Sequence, residues 1–297
     1  MKSKSSQLVL ATVLLVFASG VHAAATYSCS LGTPTGYTQT YSETGNSSSG
    51  LSVIVTCVKS GNGGAKTVSG TVTLTYGNYP SPATQNRAFY APNNYINYGI
   101  YSSTGICTTK WSSGPFSATF AGGGGATIPT TLSYYGCVPS TQTVLLAAPG
   151  TYTDTVTATL AITSGNATIT GTNPQSLPVS ILVPASCSIS SAPGTITFNY
   201  TSFGLAANSN TSFTLTCNNT LNYTLSLDAN SGTLLGLSYS LLLSTLNSGG
   251  SNTLGSVSSG IAQTFYINGA IAAGQSGTCA TMPSCTATAA HSLYITY

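Results

Sequence analysis

Two pairs of cysteines at similar spacing, each closing an alternating strand, constrain this 297-residue chain more than any other feature. Cys29 and Cys57 recur as Cys187 and Cys217. The second cysteine of each pair ends a run of alternating side chains, Val53-Ile-Val-Thr-Cys57 and Phe213-Thr-Leu-Thr-Cys217. Further on, Ile96, Tyr98 and Ile100 correspond to Leu237, Tyr239 and Leu241. Repetition on this scale predicts one module built twice in tandem. Runs rich in Thr, Val, Leu, Ile and Tyr alternate with Gly, Ser and Asn, and no stretch carries a helical apolar period with caps, so the class is all-β. A mature length of about 270 residues suits two β-sandwiches.

The start of the chain sets the compartment. Met1-Lys-Ser-Lys supplies a basic flank, Leu8 to Ala18 an apolar run, and Val21-His-Ala23 a small-residue cleavage site, which together predict a secretory signal peptide over residues 1–23. The apolar run falls short of the roughly 20 residues that a spanning helix needs. All eight cysteines follow the leader, and an even number in an exported chain predicts disulfides. Repeat logic favours Cys29 with Cys57 and Cys187 with Cys217, leaving Cys107 with Cys137 and Cys279 with Cys285. Loops of about 30 residues closed in this way contribute roughly 3 to 4 kcal/mol each in the chain-entropy model. Cys279, Cys285 and His291 also read as zinc ligands, but an oxidising compartment favours the disulfide, and no metal site is expected.

Charge excludes several function classes. After the leader only Lys59, Lys66, Arg87 and Lys110 face Glu43, Asp154 and Asp228. A net charge near +1 offers no basic surface for phosphates, so nucleic acid is not an expected partner. One histidine and three scattered carboxylates do not furnish acid and base pairs, so neither catalytic residues nor a cofactor is expected. Gly122 to Gly125 lacks the Lys-Ser or Lys-Thr of a phosphate cradle and reads as a loop.

The two modules end differently. In the first, Thr151 to Ile162 alternates, and Leu177, Val179, Ile181 and Val183 then share one face, the pattern of a strand that fills a groove in its own module. Pro178 fits there if its missing donor falls on a free edge. The second module closes on His291-Ser-Leu-Tyr-Ile-Thr-Tyr297, with Leu293, Ile295 and Tyr297 alternating and no filling segment after them. An uncovered apolar edge invites another chain.

These segments, with Ile196-Thr-Phe-Asn-Tyr200, Asn222-Tyr-Thr-Leu-Ser-Leu-Asp228 and Gly150-Thr-Tyr-Thr-Asp-Thr-Val156, resemble the spore coat U domain, the pilin fold of archaic chaperone-usher pili. The resemblance implies two tandem immunoglobulin-like pilin β-sandwiches, the C-terminal one lacking its final strand. It implies an N-terminal adhesin domain over 24–183, completed by Leu177 to Val183, and a C-terminal pilin domain over 184–297 that accepts a donor strand beside Leu293, Ile295 and Tyr297. The implied partners are a periplasmic chaperone, an outer-membrane usher and the adjacent pilin subunit. Only Ala24 to Ser28 precedes Cys29, too little for a donor segment. The expectation is therefore a tip adhesin, exported through the periplasm to the cell surface, that mediates attachment and biofilm formation. The alternative is a secreted coat or matrix protein built from the same domains.

Residues 76 to 116 hold nine of the 27 aromatics, interrupted by Pro80, Pro82, Pro92 and Pro115. Tyr79, Phe89, Tyr90, Tyr95, Trp111 and Phe116 are the candidate adhesive loop aromatics, suited to an abiotic or host surface or to stacking on a sugar. Tyr76 and Tyr98 sit in alternating runs and are expected in the core.

Overall fold

A computed structural model describes residues 24–42, 45–80, 85–102, 107–140, 142, 147–279 and 285–297. The expected signal peptide, Glu43 and Pro82 lie outside the described residues. The chain forms strands throughout. In order they are β1 (Thr26–Leu31), β2 (Tyr37–Thr40), β3 (Ser47–Ser60), β4 (Lys66–Leu74), β5 (Asn86–Tyr90), β6 (Asn94–Tyr101), β7 (Ser113–Phe120), β8 (Ala126–Val138), β9 (Gly150–Ser164), β10 (Thr168–Thr170) and β11 (Gln175–Val183). There follow β12 (Cys187–Ser191), β13 (Ala207–Cys217), β14 (Asn222–Leu227), β15 (Ser231–Leu234), β16 (Leu237–Ser244), β17 (Thr253–Val257), β18 (Gln263–Ile271) and β19 (Leu293–Thr296). Strands β1 to β11 surround one apolar core and β12 to β19 another.

In the first unit β1, β3, β8 and β6 pair in that order on one side, while β7, β4, β9, β11 and β2 pair on the other. The β5–β6 hairpin joins the two sides. Alternation decides which side chains point inward: along β9, Tyr152, Asp154, Val156, Ala158 and Leu160 are buried. β11 runs antiparallel to β9 from Gln175 opposite Ala158 to Val183 opposite Gly150, and parallel to β2 on its other edge. Leu177, Val179, Ile181 and Val183 are buried between the sheets. Pro178 sits inside this central strand, at a point where the parallel pairing with β2, which begins at Val179, asks nothing of its nitrogen.

The unit also buries a carboxylate and an ammonium, each hydrogen-bonded within the fold. Tyr98 Oη donates to Asp154 Oδ2 at 2.6 Å, and the amides of Asn78 and Thr155 donate to Oδ1 of the same carboxylate. Burial, and after it the Asp154 carboxylate, hold the Tyr98 hydroxyl far above the usual phenol range. Gly77, at φ +83°, passes so close to this carboxylate that any side chain would collide with it. Lys59, only 1% exposed, donates from Nζ to the carbonyls of Gly63 and Ala121, tying the β3–β4 and β7–β8 loops together. The Gly122 to Gly125 loop is anchored to the same place by paired amides and carbonyls of Gly63 and Gly123.

Four disulfides join Cys29 to Cys57, Cys107 to Cys137, Cys187 to Cys217 and Cys279 to Cys285. Cys29 faces Cys57 across the β1–β3 ladder and Cys187 faces Cys217 across β12–β13, each with Cα atoms 4.0 Å apart.

Because β11 buries only one of its faces, its two faces respond differently to truncation. Ile181→Ala lowers the unfolding free energy of the first unit by about 2–5 kcal/mol. Leu182→Ala, at a side chain 46% exposed, changes it by no more than about 0.5 kcal/mol. Denaturant titration of the two variants measures both, and equal effects would mean that β11 is not part of the core.

Candidate functional site

The eight strands of the second unit repeat eight of the first, and β2, β10 and β11 have no counterpart among the described residues. β12, β13, β18, β16 and β15 pair in that order, just as β1, β3, β8, β6 and β5 do. On the other side β17, β14 and β19 pair as β7, β4 and β9 do. The register agrees as well: Leu74 opposes Ala158 and the next amide, of Thr75, donates to Thr157, while Leu227 opposes Leu293 and the next amide, of Asp228, donates to Ser292. By this correspondence Leu293 stands where Ala158 does, His291 where Val156 does, Ala289 where Asp154 does and Ala287 where Tyr152 does. Those four positions of β9 are the ones that β11 covers. Among the described residues no strand covers their counterparts.

An open cleft of about 860 Å³ lies there. Its sides are residues 193–201 and 285–289 with His291 and Leu293, and its interior is lined by Leu237, Tyr239, Leu241 and Ile267. Residues 193–200 and 285–290 belong to no sheet. Ile196, Phe198 and Tyr200 are only partly buried against the second core. The arrangement has apolar alternation on one wall, small Thr and Ala residues on the other, and backbone on both sides free of ladder partners. It is the receptacle for one more strand.

The expected edge is corrected in part. Leu293 lines the cleft, but Ile295 packs against the core opposite Leu225, and Tyr297 lies beyond β19 and is 56% exposed. Pairing with β14 occupies residues 293–296, so the uncovered stretch lies upstream, at 285–291. The Thr and Ala residues there carry no apolar period, which hid this stretch from pattern reading.

One cluster in the cleft was missed in the sequence. Tyr239 Oη and His291 Nε2 are 2.8 Å apart, and His291 Nδ1 is 2.9 Å from Asp228 Oδ1. With the Nδ1 proton donated to the carboxylate, Nε2 accepts from the tyrosine, and the imidazole bridges β16 on one side to the end of β14 on the other. The hydrogen bond from His291 holds the Asp228 carboxyl below the usual carboxylate range, against a weaker opposing effect of burial. In the first unit the corresponding tyrosine, Tyr98, meets Asp154 directly. The repeat relates the two tyrosines but gives no sign that the acid has moved to another strand. Cys279 and Cys285, considered above as zinc ligands with His291, are joined to each other.

The candidate adhesive aromatics separate into two groups. Phe116 is not in a loop: it lies on β7, alternates inward with Gly114, Ala118 and Phe120, and is 4% exposed. Pro115, taken as a loop marker, is tolerated because β7 is an edge strand paired only with β4. Trp111 is half-buried, stacked on Tyr134 at 5.1 Å. Tyr76, expected in the core, is 39% exposed because β4 ends at Leu74. Tyr79, Tyr90 and Tyr95 are exposed and Phe89 is half-buried on the outer face of β5. Tyr90 packs 5.3 Å from Tyr152, beside Gly150, the partner of Val183. This group therefore lies at the end of the first unit from which the chain passes to β12.

Residues 15–159 match the profile of the Spore Coat Protein U domain. No curated protein sequence matches the chain. Among solved structures the chain is similar to the CsuC-CsuE chaperone-tip adhesion subunit pre-assembly complex from archaic chaperone-usher Csu pili of Acinetobacter baumannii. That similarity is at 14% identity over 91% of this chain and 100% of that one, with a TM-score of 0.44. It is also similar to the CupB6 tip adhesin from Pseudomonas aeruginosa, at 12% identity over 91% and 94% with a TM-score of 0.36. A chaperone-tip adhesin complex of CFA/I fimbriae matches at 10% identity over 89% and 96%, with a TM-score of 0.28.

A carboxyl whose folded pKa is depressed contributes stability that is present above its unfolded value and lost as pH falls through the folded one. His291→Ala therefore moves the Asp228 titration up toward the ordinary carboxylate range, and shifts acid unfolding of the second unit to higher pH. Carboxyl carbon NMR across the titration measures the first effect and circular dichroism the second. An Asp228 titration that does not move would remove His291 as its cause.

Proposed function

Because residues 15–159 match the profile of the Spore Coat Protein U domain, we propose that the protein is the tip adhesin of a chaperone-usher pilus. It is a structural protein and not an enzyme. The first domain, residues 24–183, is complete in itself, since β11 occupies its own acceptor groove. The second, residues 184–297, accepts a strand from outside. A periplasmic chaperone lends that strand during export through the usher, and the N-terminal segment of the adjacent pilin replaces it in the fibre. The single observation that carries this reading is the cleft of the second unit, which coincides strand for strand with the place of β11 in the first.

The energetics favour the exchange. An inserted strand with alternating apolar residues removes its own side chains and Ile196, Phe198 and Leu293 from water, at about 1.5–3 kcal/mol for each side chain fully buried. It also gives ladder partners to residues 286–290, which belong to no sheet. The docking is antiparallel to 285–291 if it copies β11 against β9. One domain that needs no partner joined to one that needs a single donor makes a subunit that terminates a fibre, and the first domain then carries the adhesive surface that supports attachment and biofilm formation.

Expressed alone in a periplasm, the chain aggregates or is degraded, whereas co-expression with the chaperone yields a soluble one-to-one complex. Leu293→Asp, which places a charge in the cleft, lowers recovery of that complex while the first domain remains folded. A monomer that stays soluble with no chaperone would falsify the acceptor reading, and purification and native mass measurement distinguish the outcomes.

A further inference from the structure

We propose that the outer face of the β5–β6 hairpin binds acidic saccharides, recognising a pyranose ring by its aromatic side chains and a ring carboxylate by Arg87. This deepens the adhesin reading and rests on it only for its biological use. The binding chemistry itself is independent of the cleft.

Phe89 and Tyr95 are register partners on this face, 5.4 Å between centroids, and Tyr79 from the segment after β4 stacks on Phe89 at 5.1 Å. Tyr79 and Tyr95 are 36% and 39% exposed. Among the described residues neither hydroxyl has a hydrogen-bond partner. Ring faces at this spacing offer the C–H surface of a sugar a platform with few rotors to freeze, and the hydroxyls are placed to bond its ring substituents.

Arg87 supplies the charge. Its guanidinium carbon lies 4.3 Å from the centre of the Tyr95 ring, and Nε donates to the Tyr79 carbonyl at 3.0 Å. The head group is thus held against the aromatic cluster by two contacts, and among the described residues Nη1 and Nη2 make no hydrogen bond. Among the described residues the one contact of ion-pair geometry is that of His291 with Asp228, and no carboxylate of these residues pairs with Arg87. A guanidinium fixed in plane is matched to the two oxygens of a carboxylate. An inert apolar surface would gain nothing from it. The patch sits on β5 where Phe89 faces Thr153 of β9.

The test uses the purified full chain, with its chaperone where the chain requires one, and a biosensor carrying oligogalacturonate, its methyl ester or dextran. The expected result is binding to oligogalacturonate that weakens with added salt and is about tenfold or more weaker for the neutral ester. Arg87→Gln and Tyr95→Ala each lose about tenfold or more toward oligogalacturonate, and Arg87→Lys loses part of it, because a point charge does not reproduce the fork. Thermal melts of all variants near the parent's separate lost binding from lost fold. Equal binding of acid and ester, an Arg87→Gln variant that binds like the parent, or adsorption to polystyrene with no saccharide binding would each overturn the proposal. None of these outcomes bears on recovery of the chaperone complex, so failure here and failure of the pilus reading are told apart.

Discussion

The pairing of β11 with β9 is the interaction on which the rest of the molecule depends. It places Leu177, Val179, Ile181 and Val183 between two sheets that otherwise face each other across a gap, and it provides ladder partners for nine residues of β9 and for β2. Without such a strand a sandwich of this topology leaves apolar side chains and backbone groups in water together, two costs that reinforce each other. The second unit has that composition of exposed groups at the same place. The eight strands of the second unit repeat the order of eight in the first, and what the open module lacks among the described residues is β11 together with the two short strands β2 and β10.

The histidine bridge shows how an open sandwich keeps its shape. In the first unit β11 holds β9 and β2 together from within the gap, and the Tyr98 to Asp154 contact is buried beneath it. In the second, Tyr239, His291 and Asp228 cross from β16 to the end of β14 at the margin of the cleft. A polar crossing of this kind fixes the spacing of two sheets without filling the space between them. Leu293, two residues from His291, is thereby set against the interior while 285–290 remains available for pairing.

Much of this was legible in the sequence, for reasons that differ by element. The repeated cysteines marked two strands that face each other, because residues directly opposed in an antiparallel pair are close enough to bridge. Leu177 to Val183 announced a core strand by strict alternation. Alternation misled where it crossed an element boundary: Tyr76 falls just past the end of β4, and Phe116 keeps the inward phase of β7 in spite of Pro115. The wall at 286–290 was hidden because its residues are small, and a run of Thr and Ala acquires its meaning only from the cleft beside it. The bridge from Asp228 to His291 joins residues 63 positions apart, and nothing in either segment names the other.

The scarcity of charge has a physical consequence that unites these features. The hydroxyl of Tyr152 is pushed up to about 12 by burial, and those of Tyr37, Tyr98 and Tyr134 go higher for the same leading reason, so the large buried phenols of the first core stay neutral at any pH an exported protein meets. The disulfides do not titrate in that range either. In the second unit the polar contact between sheets stands instead at the cleft, where His291 meets Asp228 and Tyr239. The closed unit thus seals its phenols inside a filled core, and the open unit keeps its polar crossing at the margin of the space that another chain completes.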